Sequence, residues 1–554
     1  MIGIPVSQRV FQCLLLIAVL LNATALFSDI LEPDGALYAA ISKRIALTGD
    51  WINLYGDGHD WLDKPHLPFW LAALSFRYLG ISAFAYKLPA FVCWLAGLYY
   101  TWRLALALYG RAVAQLATLI YATALHAILA NFDVRAEAYL TAFVVAAIYY
   151  LYRADEAGKR WLYLLAGAFC CALAVMTKGV FVLITIGAGL AVYQLFTRQW
   201  KWFLLYWWVV LALTLVFILP ELYCLYEQFD KHPEKLVFNR TGVSGIRFFF
   251  WDSQFGRFFN SGPIKGEGDV FFFLHTVLWA FLPWSIFLYV AVVQLLRKKI
   301  PFQPRHWVAA GGALVSFLLF SLSSFQLPHY IVIVFPQLAM LTAAWLVSLS
   351  TPKAIARVNG IITGLLVLLV VLMLGLAVIS RMGNTFLQIT WILVGAIVAL
   401  LVYRKSGITQ VAIKGTAFAV LLFVFMNLLF YPPLMQYQAG MQAGKWLRQH
   451  GAGSKAVLFR CNIYSFEMYA PAIPERAADM QQLDSLCAAT PGADWYMLVP
   501  QNEVTALQSN TLHIQKVASF GGFHISQLTG GFINAATRAQ QLEYFYLYRV
   551  MAAK

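Results

Sequence analysis

EPDGALYAAISKRIALTGDWINLYGDGHDWLDKPHLPFW, residues 32–70, is the first long polar interruption in a chain that is otherwise nearly all lipid-compatible. With Asp29 just before it, the stretch gathers seven carboxylates (Asp29, Glu32, Asp34, Asp50, Asp57, Asp60 and Asp63), the bases Lys43, Arg44 and Lys64, and the histidines His59 and His66. Apolar runs at 9–28 and 84–107, each about the ~20 residues needed to cross a bilayer, lie on either side. A charged loop between two such runs makes the chain a polytopic α-helical membrane protein, because lipid tolerates only segments that satisfy their own backbone.

Composition agrees outward from there. Hydrophobic residues make up 61%, charged residues 12%, and mean hydropathy is +0.69, outside the range of soluble domains. Further apolar runs at 111–130, 133–152, 160–176, 179–197, 201–220, 271–296, 306–323, 328–349, 357–380, 386–403 and 410–431 predict about thirteen spans in all. The first reads as a retained helix, since no small-residue cleavage site follows it. Every second connection is basic: Arg9, Arg111, then Arg153, Lys159 and Arg160, then Arg198 and Lys201, then Arg297 to Lys299 and Arg305, then Lys353 and Arg357, then Arg404, Lys405 and Lys414. That alternation places the N-terminus in the cytoplasm and, with an odd number of spans, the C-terminal tail outside. The net charge of +15 is spread over these short connections, which excludes a nucleic-acid surface and makes anionic membrane lipid the natural partner.

Three polar regions then face outward: the opening loop (about 29–83), a connection at about 220–270, and the tail. The chain divides into a transmembrane domain, 1–436, and a small α/β domain, 437–554. Strand-like runs at 456–459, 495–499 and 514–518 in the latter alternate with helix-like stretches at 441–450 and 478–488, and a lid or docking role suits it better than chemistry. The seven cysteines have no zinc-finger spacing; Cys461 and Cys487 are open to pairing if the tail lies outside. In the opening loop, Leu37, Tyr38, Ile41, Ile45 and Ala46 recur at helical spacing, with Lys43 and Arg44 opposite and Gly49 as the stop. The pattern predicts a helix lying in the interface plane. The 220–270 connection interleaves aromatics with Arg240, Arg247 and Arg257, as either a surface anchor or a wall of the active cavity.

Ionisable groups beside lipid are costly, which marks the outer-face ones as functional candidates. Asp34, behind Pro33, is placed to cap the loop helix and to present a fixed carboxylate. Asp63 and Lys64 precede Pro65, which holds them extended before the next span, where a lysine meets a phosphate as a point charge. Glu137 sits one turn inside a span and cannot pair with Arg135 at i,i+2, so it faces a cavity. Lys178, in the tight turn MTKG, is either a phosphate clamp or a topological charge. His329 and Tyr330 follow Pro328 at the outer end of another span; a lone histidine there is more often a packing residue. His59, His66, Asp60 and Asp63 offer only weak metal-ligand spacing. The other acids of the loop read as solvated surface.

Taken in order, the PD…Y motif ending in Gly49, Asp50 and Trp51, then DKPHLPFW, RAEAYL, MTKG, RFF, FLPWS and LPHYIVIVFP resemble the bacterial membrane glycosyltransferases of the protein O-mannosyltransferase-like, type C superfamily. Length, span count and the outer tail look most like its aminoarabinose transferases. The resemblance implies transfer of 4-amino-4-deoxy-L-arabinose from undecaprenyl phosphate to lipid A phosphates at the periplasmic face of the inner membrane, by a monomer, with resistance to polymyxin as the outcome. It implies Asp34 and Glu137 as the essential acidic pair, Tyr38 as a cavity residue, and Lys64 and Lys178 as holders of the carrier phosphate. His329 and Tyr330 fall in its substrate-binding motif, and Asp63 near a divalent metal (zinc) site. Leu37 stands where such transferases often have Arg, and Gln326 where Lys is common. A related transferase using another sugar or a protein hydroxyl is the nearest alternative, and a lipid or ion transporter the rival from another class.

Overall fold

The computed structural model describes residues 6–156, 160–198, 205–401, 407–507 and 512–552; Lys159, Lys201, Arg404 and Lys405 of the charge alternation lie outside these residues. Apolar runs become helices where a cap starts them. Ser82 accepts from the N–H of Ala85 to open Ala83–Tyr109, and Thr351 accepts from Ala354 to open Pro352–Ser380. Among the described residues, six helices are long and apolar enough to cross a membrane, or up to eight when two bent pairs each count as one span. Three further apolar helices, Val182–Phe196, Ser285–Leu296 and Thr385–Leu401, are shorter.

Proline accounts for part of the difference from thirteen unbroken runs. The run 271–296 is two helices, Phe272–Ala280 and Ser285–Leu296, parted where Pro283 supplies no N–H to continue the first. The run 201–220 bends by 45° between Trp207–Phe217 and Leu219–Asp230, next to Pro220. The run 111–130 bends by 51° after Thr123.

The opening-loop helix, Asp34–Thr48, ends at Gly49, whose φ of 74° is the left-handed conformation glycine adopts without strain. Its Lys43 does not face outward. Nearly every face is buried, against Leu67–Leu79 on one side and the tail on the other. Lys43 is 1% exposed, and its ammonium donates to the carbonyls of Glu467 (2.8 Å), Ala470 (2.7 Å) and Ala472 (3.1 Å), where the helix Tyr464–Tyr469 ends. A helix C-terminus presents unpaired carbonyls and negative potential, so a buried cation is well matched there.

A short hairpin, β1 (Tyr55–Gly56) and β2 (His59–Asp60), closes the loop. The tail carries β3 (Lys455–Phe459), β4 (Glu475–Ala477), β5 (Trp495–Pro500), β6 (Leu512–Gly522) and β7 (Glu543–Ala552) in the order β4-β3-β5-β7-β6. The first three strands are parallel; β7 and β6 are antiparallel additions. The period-two side chains of β3 and β5 feed two separate apolar clusters, Cys461 packing with one and Cys487 with the other; both thiols are free. The acids read as solvated surface are instead latches. Asp29 holds Lys445 (2.7 Å) and Tyr469, Glu32 accepts from Ser465 N and Oγ, Asp57 meets Arg476, and Asp60 meets Lys235 and Gln228. Only Asp50 bonds within its own turn.

Replacing Lys43 by Met should strand these carbonyls, at a cost of about 2–4 kcal/mol. Thermal unfolding in detergent should shift down by several degrees, with faster proteolysis of the tail; an unchanged midpoint would show that the lysine is not the fastener.

Candidate active site

Asp34 opens its helix as the first residue and makes no capping bond; its carboxylate is turned instead to Arg135, whose Nη1 donates to Oδ2 at 2.6 Å. The same guanidinium holds Asp133 through Nε (2.8 Å) and Nη2 (2.7 Å), and lies 3.5 Å from Nδ1 of His329. Gly35 makes this close approach workable, because a Cβ there would sit 3.0 Å from Oδ1 of Asp133. Asp34 and Asp133 thus share one guanidinium, whose charge both carboxylates match.

Glu137 faces inward from its span, 2% exposed, and is paired with Lys178 rather than Arg135. The Lys178 ammonium lies 3.5 Å from the centre of the Tyr330 ring, and His329 Nε2 is 3.8 Å from the second Glu137 oxygen. Gln254, from the second long connection, sets the turn that carries Lys178: its Oε1 accepts from Phe181 N (3.2 Å) and its Nε2 donates to Lys178 O (3.3 Å). Gly179 has φ +105°, and any Cβ there would collide with the Gln254 amide. Tyr38 is buried edge-on to Phe69, centroids 5.3 Å apart; burial, with Asp63, Asp34 and Glu137 in its field, keeps its phenol protonated.

Asp63 is shared by two cations. Lys64 donates to Oδ2 at 2.6 Å and Arg257 to Oδ1. Burial would raise this carboxyl, but the two charges prevail and hold it well below the usual range. This does not fit the expected divalent metal site. Both carboxylate oxygens are taken by cations, His66 is committed elsewhere, and among the described residues no three His, Cys, Asp or Glu side chains converge as ligands. His66 is instead a buried support. Glu221 accepts from its backbone N–H (3.0 Å) and meets Nδ1 (2.9 Å), while Nε2 meets the carbonyl of Ile52 (2.9 Å). Both ring nitrogens face acceptors, which favours the charged ring; burial opposes the charge, and Glu221 more than offsets it and raises the imidazole above its usual range.

Asp63, Lys64, Lys178, Arg257, Glu221 and Tyr330 line an open cavity of about 1040 Å³ whose other walls are mostly apolar, including Phe181, Phe248, Phe258 and Leu319. Asp34, Tyr38, Glu137 and His329 do not line it. Glu137 meets its edge through Lys178, and Asp34 stands further back, joined through Arg135 and then His329, which lies 3.5 Å from Arg135 Nη1 and 3.8 Å from Glu137 Oε2. The sequence therefore pointed to Lys64, Lys178 and Tyr330 directly, and missed Arg257, Glu221 and Gln254 as site residues. Arg257 was signalled by the arginine-aromatic interleaving; nothing local marks Glu221 or Gln254. Arg247 is exposed and faces away. At the cavity, cations outnumber carboxylates beside an apolar wall, an arrangement suited to an anionic head on a hydrocarbon chain.

The fold is shared with solved membrane-protein structures. The structure of ArnT from Cupriavidus metallidurans bound to undecaprenyl phosphate superimposes with a TM-score of 0.75 at 19% identity, covering 98% of this chain and 97% of that one. In sequence, residues 63–224 match the family model described as dolichyl-phosphate-mannose-protein mannosyltransferase. The chain is similar to the undecaprenyl phosphate-alpha-4-amino-4-deoxy-L-arabinose arabinosyl transferases of Edwardsiella ictaluri (26% identical, covering 60% of this chain and 58% of that one) and Pseudomonas paraeruginosa (28%, 64% and 61%). The matched stretch thus spans about three fifths of those relatives' length. In fold and in sequence the chain is ArnT-like.

Two outcomes follow from the geometry. Gly179→Ala should displace Gln254 and misplace Lys178, lowering at least about tenfold the affinity the cavity shows for a phosphate-headed lipid probe, with expression retained; unaltered affinity would show that the turn does not set the lysine. Asp63 has a depressed folded-state pKa, so its stabilisation is complete above the unfolded value of about 3.9 and is lost as pH falls through the folded value. The stability deficit of Asp63→Asn, measured by thermal unfolding, should be constant from about pH 5 to 8 and narrow only below about pH 4.

Proposed function

We propose that the chain is a multi-pass inner-membrane enzyme that transfers 4-amino-4-deoxy-L-arabinose from undecaprenyl phosphate to lipid A phosphate groups at the periplasmic face, lowering surface negative charge and conferring resistance to polymyxin. The observation that carries this is the convergence of Lys64, Lys178 and Arg257 in one cavity with apolar walls, which suits a polyprenyl phosphate. The similarity to named transferases supports the sugar and its undecaprenyl phosphate carrier. In this arrangement the N-terminus is cytoplasmic, and the opening loop, the 220–270 connection and the tail are periplasmic.

The carrier phosphate is the leaving group. It accumulates charge as its bond to the anomeric carbon breaks, and Lys64, Lys178 and Arg257 are already aimed at it, so little reorganisation is needed. Lys178 is placed by Glu137 and by the turn that Gln254 holds; Lys64 is placed by Pro65 and by the His66–Glu221 pair. A phosphate acceptor arrives ionised and needs no base. Asp34, committed to Arg135, is therefore assigned to holding the incoming sugar amine or steadying positive charge on the ring, and Arg135 to meeting the acceptor phosphate. Tyr38, a protonated phenol, supplies a donor.

Mass spectrometry of lipid A from cells with and without the chain tests this. Aminoarabinose-modified lipid A should appear with it and fall at least about a hundredfold in Asp34→Ala and Lys64→Ala. Unmodified lipid A beside folded parent protein would overturn the sugar and acceptor, and full activity in both variants would overturn the site.

A further inference from the structure

A second cleft, of about 960 Å³, opens between the opening loop and the tail, and its chemistry is unlike that of the cavity above. No lysine or arginine is among its lining residues, whereas the first has three such cations. Two carboxylates, Glu32 and Glu543, and the imidazole of His524 share it with the aromatic rings of Tyr437, Tyr464 and Phe545. Such a lining repels phosphate. It offers aromatic faces to the C–H surface of a sugar ring and acceptors to its hydroxyls or amines.

The floor is already rigid. Glu32 is bonded to the backbone N–H (3.0 Å) and hydroxyl (2.7 Å) of Ser465, and Gln438 bridges the Glu32 N–H (2.7 Å) and the Ile30 carbonyl (3.1 Å). Glu543, by contrast, makes no ion pair among the described residues and is exposed at the start of β7, so its carboxylate is available. Glu32 and Pro33 line the cleft, and the next residue in the chain is Asp34. An occupant is therefore held against the same loop that carries the reacting centre.

We propose that this cleft is a saccharide-binding site that seats a sugar ring of the acceptor with its phosphates directed out of the cleft. That it binds a saccharide stands on the lining; that the saccharide belongs to the acceptor rests on the transferase reading above. The tail then takes part in choosing the acceptor, since most of the lining comes from it.

The test uses the full chain in detergent, with a phosphate-free glucosamine disaccharide as probe and saturation-transfer NMR as readout, alongside transfer kinetics. The disaccharide signal should fall about five- to tenfold in Phe545→Ala and at least about twofold in Glu543→Gln. Excess inorganic phosphate should not compete, and undecaprenyl phosphate binding should be unchanged. The KM for lipid A should rise by a similar factor with the donor KM unaltered. Glu543→Gln, at an exposed position, remains informative if Phe545→Ala folds poorly. Disaccharide binding that is absent in the parent, unchanged in both variants, or displaced by phosphate would overturn the saccharide site. Binding lost in the variants while the parent shows no transfer to lipid A would uphold the site and overturn only its assignment to the acceptor.

Discussion

A carboxylate buried beside hydrocarbon must be matched by a cation or it will not stay ionised, and the site depends on how that matching is done. Glu137 comes from one span and its partner Lys178 from the turn ending another. Asp63 and Lys64 come from the opening loop and Arg257 from the connection about 190 residues later. Asp34 from the loop meets Arg135 beyond the bent helix pair. Each pair thus neutralises a costly charge and joins two segments distant in sequence. Removing one partner leaves the other buried and unmatched, which destabilises far more than the intact pair stabilises.

The segment 220–270 is the frame on which the opening loop is set. Glu221 grips His66, Gln228 brackets Leu54 through both its N–H and its carbonyl, Lys235 meets Asp60, and Arg257 meets Asp63. These contacts fall at intervals along both chains, which makes the two loops a double layer rather than two independent covers. Gln254 extends the same layer to the Lys178 turn. The tail closes the other side of the loop helix through Lys43, Asp29 and Glu32. The loop's acids serve as fasteners between layers, because a polar segment pressed between protein surfaces has no water to satisfy it.

Local pattern reveals what depends on local physics. Hydropathy marks the apolar runs, short strand-like apolar runs between helix-like stretches find β3, β5 and β6, and the prohibitive cost of charge near lipid points to Glu137, Lys178, Lys64 and Asp63. It fails where partners are distant. Lys43 looks like the polar face of an amphipathic helix and is fully buried, since the tail that covers it begins almost 400 residues later. Asp34 has the sequence context of a cap, yet a guanidinium offers a stronger partner than a backbone N–H. Asp63 near two histidines suggests a metal, whereas its two carboxylate oxygens are engaged by Lys64 and Arg257. β7 was legible and missed: Tyr544, Tyr546 and Tyr548 alternate with Phe545 and Leu547, but so many rings in a row hide the period.

Pairing also bears on how the proposed reaction gains its rate. With the cavity cations engaged by Asp63 and Glu137, a carrier phosphate must share them, so ground-state attraction for the head group is moderated and the apolar walls supply most of the affinity. As the sugar departs, the phosphate gains charge that neither carboxylate does. The same three cations then interact more strongly with it than they did at the start, and interaction that grows toward the transition state lowers the barrier instead of only tightening binding. The carboxylates keep lysine and arginine side chains ordered where free ones would be lost to rotamer entropy, and so fix the positions from which the developing charge is met.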